Sequence, residues 1–218
     1  MAIFSNTAPR SGKGLAGDAR ELARRLGSPS DLAEWSGALG AAGAVAVDGS
    51  SIHGFLTAYV SSVLIPVELP LVCQGFAHAT RGAIAELIAL DRCHVPIGLA
   101  AGLSEASQQV GRTHLGRMRP LRGERRVQRY WRAVERGEAH AWHTVVYGLV
   151  LAVYGLPLRQ GLLSFGCQTV RGFVGSIQKR QGLDPAESEA LEREFEGLVG
   201  PAVEGLLAGS NGPRLLTV

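Results

Sequence analysis

Lysine is almost missing from this chain. Of 22 basic residues only Lys13 and Lys179 are lysine, and the other 20 are arginine. Cysteine is scarce too. Cys73, Cys93 and Cys167 cannot all pair and none forms a C-x-x-C, which fits reduced thiols rather than a disulfide framework. Alternating apolar and polar runs of strand type are rare, which argues against a sheet protein. Long membrane-type runs are lacking as well. The longest uncharged stretches are 49–67, with four serines, His53 and Pro66, and 144–158, which contains Pro157. Both read as buried helices rather than bilayer spans. The N-terminal residues hold no apolar stretch of signal-peptide length, so a cytoplasmic location is expected.

Catalytic motifs are also missing. There is no G-x-S-x-G elbow, Walker A loop, H-E-x-x-H or G-x-G-x-x-G. The glycine-rich run Gly37–Gly43 follows no strand and precedes no Lys-Ser/Thr pair. It reads as a small-residue helix rather than a phosphate cradle, and no enzymatic activity is expected.

What is present suits a packed globular chain of 218 residues, 46% apolar and 19% charged. The 29 glycines follow no G-X-Y period, which excludes collagen. Apolar residues recur three and four apart. They predict helices over 18–26, 31–46, 50–65, 68–91, 97–118, 124–136, 139–154, 159–180 and 185–208. The expected fold is all-α: a single-domain bundle of about eight to nine helices over 18–208. A disordered arm at 1–17 and a tail at 209–218 flank it. Asp184, Pro185 and Glu187 combine an N-cap, a proline at the first helical position and a capping box. Gly155, Gly182 and Gly209 are stop signals.

Helix 159–180 carries Gly161, Gly166, Gly172 and Gly175. Each glycine costs roughly 1 kcal/mol against alanine in a helix interior, so close packing must compensate. The packing is either that of a central bundle helix or a homodimer seam.

Charge concentrates in 112–136. Nine arginines (112, 117, 119, 122, 125, 126, 129, 132, 136) face only Glu124 and Glu135, a net of +7. The whole chain carries +3, so the remainder carries −4. Arginine forks bind carboxylate and phosphate alike, and Tyr130 and Trp131 interleave with them. Three readings stay open: a solvated face, a docking site for an acidic protein, and a nucleic-acid surface. Arg125 and Arg129 lie four apart on one helix face, with Arg122 and Arg132 three residues to either side.

His140 and His143, three apart on predicted helix 139–154, form a weak metal candidate. Two imidazoles do not complete a ligand set, so no tight metal site is expected. Cys93-His94 would need a loop to chelate, and Cys73 and Cys167 read as core thiols.

Several stretches together resemble the UreF family of urease accessory proteins. Gly182-Leu183-Asp184-Pro185-Ala186-Glu187 resembles the family's turn, with Lys179 where the family has an arginine three residues ahead of it. Val145-Val146-Tyr147-Gly148 and Gly155-Leu156-Pro157-Leu158 are similar to segments flanking one of its helices. Ser107, Gly111 and Arg112 match an S-x-x-x-G-R helix. Ser36-Gly37-Ala38-Leu39 and Gly212-Pro213-Arg214-Leu215-Leu216 resemble its terminal segments.

The resemblance implies an all-helical, non-catalytic scaffold that forms homodimers. It implies binding to the accessory protein UreD/UreH and to the GTPase UreG, and nickel insertion into apo-urease, a chaperone's part in protein maturation. Nickel and GTP would be handled by the GTPase, with no cofactor held tightly here. Expected partner-binding residues are Arg112, Arg117, Arg122, Arg125, Arg129, Lys179, Pro213, Arg214 and Leu215. No membrane or nucleic-acid partner is implied. The alternatives are a helical nucleic-acid-binding protein using 112–136 and a metal-dependent enzyme using His140 and His143.

Overall fold

A computed structural model describes residues 49–94 and 101–209. Within them every regular element is helical. Helix α1 (Gly49–Tyr59) runs into a π-helical stretch (Val60–Glu68) and on into α2 (Leu69–Thr80). Then follow α3 (Ile84–Cys93), α4 (Ala101–Met118), α5 (Arg125–Glu135), α6 (His143–Val153), α7 (Leu158–Gln181) and α8 (Pro185–Gly209). The predicted helices 18–26 and 31–46, the N-terminal arm and most of the tail lie outside the described residues.

The boundaries differ from expectation in three places, one of them the start of predicted helix 139–154, which begins only at His143. Predicted helices 50–65 and 68–91 are instead one continuous rod to Thr80. Pro66 and Pro70 have no N–H to give, and the wider π turn carries the chain past them, with the Leu69 N–H reaching Leu64 O five residues back. The rod then stops inside predicted helix 68–91. Gly82 adopts φ +69° and Ala83 N–H donates to His78 O at 2.9 Å, a glycine-terminated helix end. Ile52–Thr80 is therefore 29 residues long, and among the described residues it alone is long and apolar enough to cross a membrane. Nearly half of its most apolar window is buried inside the chain.

Two apolar clusters fill the described part of the chain. One gathers α1, the π stretch and α2 against α7 and α8, with Leu56, Leu64, Phe165, Phe173 and Phe195 at its centre. The other gathers α3, α4 and α5, with Leu87, Leu115, Val127 and Tyr130. Helix α6 belongs to both, giving Tyr147 and Leu151 to the first and Val145, Val146, Leu149 and Val150 to the second; α4 also reaches both, with Leu103 and Ala106 in the first and Leu115 and Met118 in the second. Each residue from His143 to Leu151 is buried.

Helix α6 reaches that depth because glycines let backbones touch. A Cβ on Gly148 would stand 2.5 Å from Val72 O and 2.6 Å from Phe76 N, and Gly75 faces Val145 O from the α2 side. The central helix is thus α6 and not the glycine-rich α7. Helices α7 and α8 form a hairpin. Gly182 turns it at φ +70°, and Asp184 caps α8, its Oδ2 accepting from Ala186 N–H at 2.9 Å.

Candidate functional site

The arginine-rich segment folds as the end of α4, a turn over 119–124, and α5. On α5 the buried side is Val127, Tyr130 and Ala133, three apart, which leaves the arginines outside. Arg112, Arg117, Arg119, Arg122, Arg125, Arg129, Arg132 and Arg136 are all exposed. Two arginines in the segment pair with acids. Arg126 grips Glu124 in a two-bond fork, 2.8 Å at each contact, and holds that carboxyl below its ordinary range. Glu124 also caps α5 by accepting from Arg126 N–H. Arg136 bonds Glu138. Among the described residues the others have no carboxylate within salt-bridge distance.

Beneath this face lies a polar anchor that composition did not reveal. Asp91, fully buried near the end of α3, accepts from Tyr130 Oη–H at 2.5 Å and from Trp142 N–H at 3.0 Å on one oxygen. Its other oxygen accepts from the N–H groups of His140 and Ala141. Its backbone carbonyl accepts from the Trp142 indole at 3.0 Å. One carboxylate thus fastens α5, the 137–142 turn and the start of α6 to α3. The turn is tightly bent: Gly137 sits at φ +74° and Ala141 at φ +62°, a conformation unusual for alanine. Gly111 on α4 makes room for it, since a Cβ there would collide with the Ala141 carbonyl.

A second buried polar group adjoins the first. His143 opens α6, its Nδ1 2.7 Å from Ser107 Oγ, and its ring stacks on Phe165 at 5.3 Å. Its Nε2 has no hydrogen-bond partner and lies 3.9 Å from Glu68 Oε1. Glu68 Oε2 accepts from Tyr59 Oη–H at 2.7 Å. Burial pushes the Glu68 carboxyl up to about 7, against a smaller opposing pull from the Tyr59 hydroxyl. Burial, reinforced by His114 and His94, brings His143 down to about 3, so its ring is neutral at pH 7.

Ser107 and Gly111 therefore work as a pair, one turn apart on α4. One holds His143 and the other admits the turn before it.

The structure rearranges several expected sites. His140 is not on a helix with His143. It lies in the turn, half-buried, its ring 5.6 Å from that of Trp142, while His143 points into the core against Ser107. The left-handed Ala141 between them breaks the helical register, so the two do not share a face. Among the described residues no group of three or more histidines, cysteines or acids is placed to hold a metal ion. Cys73 and Cys167 are half-buried and Cys93 is exposed.

Of the four α7 glycines, two spend their close approach inside the chain. A Cβ on Gly161 would collide with Leu151 of α6, and one on Gly166 would stand 2.5 Å from Val199 of α8. Those two glycines are explained by the bundle's own packing rather than by a seam with a second copy. Gly172 is half-buried, and around Gly175 there is open space. Lys179 is exposed near the end of α7, on an element of the other cluster from the arginine face. Pro213, Arg214 and Leu215 lie outside the described residues.

Asp91, Glu68 and Tyr59 were not singled out by sequence reasoning. A signal existed for the acids. Glu68 is the one acid between Asp48 and Glu86, set in Ile-Pro-Val-Glu-Leu-Pro-Leu-Val, and Asp91 follows the apolar run Leu87–Leu90. A lone charge inside an apolar helix points to a buried partner.

Residues 46–195 match the family model of UreF, a span that takes in all the described helices up to the middle of α8. No curated protein matches the chain.

Proposed function

The chain belongs to the UreF family of urease accessory proteins, and from that premise we propose that it is a non-catalytic cytoplasmic scaffold for nickel insertion into urease. Membership carries the accessory role in urease maturation. The finer reading is that the chain pairs as a homodimer, binds a UreD/UreH subunit and recruits the UreG GTPase that carries nickel. Its own residues then supply docking and orientation, and chemistry stays with the partner. Binding can bias a GTPase only through unequal affinity for its states, so a rigid docking face serves this role better than a mobile one.

The observation that carries the proposal is the exposed arginine face of α4 and α5, largely without acids of its own and fastened from beneath by Asp91. Unpaired guanidinium groups carried on a helix anchored to the core suit carboxylates on a partner protein. The nucleic-acid alternative loses its stacking platforms here. Tyr130 is fully buried and bonded to Asp91, and the Trp131 ring is covered by Arg119 at 5.5 Å.

The test is co-purification of the full chain with the GTPase and the UreD/UreH subunit. Changing Arg125 and Arg129 to Glu is expected to abolish capture of at least one of them while the helical circular dichroism stays unchanged. Exposed charges add little to stability. Undiminished capture of both by the double variant would remove the arginine face from the reading.

A further inference from the structure

The arginine face is not flat. Between the end of α4 and the outer side of α5 lies an open cleft of about 720 Å³, lined by Gly116, Arg119, Pro120, Arg122, Gln128 and Arg132. We propose that this cleft is the docking seat for an acidic segment of a partner protein, with Arg119, Arg122 and Arg132 receiving its carboxylates. The inference rests on the scaffold reading and gives its docking face a specific address. It adds to the Arg125–Arg129 ridge a concavity beside it, whose Arg119 and Arg132 the sequence alone did not mark as binding residues.

Three features of the cleft support it. First, its three arginines are exposed, and among the described residues none has a carboxylate within salt-bridge distance. The nearby Glu124 and Glu138 are taken by Arg126 and Arg136. The cleft therefore carries three positive charges that nothing described in the chain neutralises. Second, part of the wall is in place before any ligand arrives. The Arg119 guanidinium lies over the Trp131 ring. The Gln128 amide donates to Arg119 O at 3.3 Å and Leu121 O at 3.1 Å. Arg122 N–H closes the turn on Pro120 O at 2.8 Å. Third, one lining residue is a glycine. A Cβ on Gly116 would only just reach Trp131, at 4.0 Å, so the bundle does not require glycine there, and a larger side chain would intrude on the cleft.

A protein segment fits better than a polynucleotide. The cleft offers no aromatic face to a base, and the chain outside 112–136 carries −4, so no wider basic field draws a polyanion to it. The volume holds several side chains rather than a single anion, and planar forks pair with carboxylates in two-bond geometry.

The test uses the purified full chain and a fluorescein-labelled twelve-residue peptide of alternating Asp and Glu, followed by anisotropy at physiological salt. A Gln/Asn peptide of equal length, a labelled 20-nucleotide single-stranded DNA and inorganic phosphate serve as comparisons. Gly116→Leu narrows the cleft at the α4 side and keeps every charge. Arg119→Gln with Arg132→Gln removes two receptors. Arg193→Gln removes one charge from exposed α8.

The acidic peptide is expected to bind, and the first two variants should each weaken it at least tenfold. Arg193→Gln should change it less than twofold. Peptide affinity indifferent to both cleft variants overturns the inference. So does DNA binding tighter than the peptide and lost in the same variants, or displacement of the peptide by phosphate at low millimolar concentration. The scaffold reading fails separately: a wild-type chain that binds the peptide in the cleft yet captures neither the GTPase nor the UreD/UreH subunit refutes only that reading. Capture that survives alongside cleft-independent peptide binding refutes only the cleft.

Discussion

Replacing Asp91 by asparagine removes one charge and almost no volume, yet it should be among the most damaging single changes in this protein. The wild-type carboxylate accepts from Tyr130, His140, Ala141 and Trp142, two donors to each oxygen. An amide has one accepting oxygen. Whichever way it is turned, its NH2 faces either the Tyr130 hydroxyl and Trp142 N–H or the two N–H groups of the turn. At least two donors are left buried without an acceptor. Hydrogen bonds to a charged group are worth roughly 1.5–3 kcal/mol each, so the loss is on the order of 3–6 kcal/mol. That is a large part of the roughly 5–15 kcal/mol typical of a whole domain. For a chain of this length the melting temperature should fall by about 6–24 °C.

The assay is thermal unfolding by circular dichroism at fixed pH and protein concentration, with Tyr130→Phe alongside. That variant removes one donor of the four and strands none, so it should cost about 1.5–3 kcal/mol. Asp91→Asn should also weaken partner capture at temperatures where the helices persist, because α5 loses its anchor. An Asp91→Asn protein melting within about 2 °C of wild type, or one harmed less than Tyr130→Phe, would refute the account of Asp91 as the fastening point.

The buried Glu68 and His143 should respond to pH in opposite senses. Glu68, raised from 4.5 to about 7, stabilises the fold fully below 4.5 and loses that contribution as pH rises through 7. His143, lowered from 6.5 to about 3, contributes fully above 6.5 and loses it as pH falls through 3. Between about 4.5 and 6.5 the two slopes oppose each other. Glu68→Gln should unmask His143, so its urea midpoint should drop more steeply than that of wild type from pH 6.5 to 4.5; parallel profiles would sink this account. Gly148→Ala forces the backbones of α2 and α6 apart and should cost ~1–3 kcal/mol or more in urea unfolding. Gly54→Ala, on the exposed side of α1 with nothing near, should gain up to ~1 kcal/mol, and equal midpoints for the two would contradict the packing described.

The fold class was readable from period alone, because apolar residues three and four apart leave a helix little alternative. Helix ends were readable where chemistry marks them, as at Asp184-Pro185 and Gly155. The turn at 137–142 was not. Its shape is set by Asp91 about fifty residues away and by the missing side chain of Gly111, and neither contact leaves a local trace. For the same reason His140 and His143 seemed to share a face. The join of α1 to α2 was missed because Pro66 normally ends a helix, and only the wider π turn avoids that. The arginine face was plain in composition, but its cleft depends on Trp131 and Gln128 folding back on the 119–122 turn.

Helix α6 has one more consequence, and it concerns how the chain comes apart. Both apolar clusters use it as a common wall, with its polar N-terminus bonded to α3 and α4. Opening either cluster exposes apolar surface in the other, so neither half has a stable existence without this one segment. Unfolding of the described region should accordingly be all-or-none, and the segment's amides belong to the last cooperative unit to yield. The docking face on α5 inherits that resistance. It shares an apolar cluster with that helix and is tied to the helix's start through Asp91.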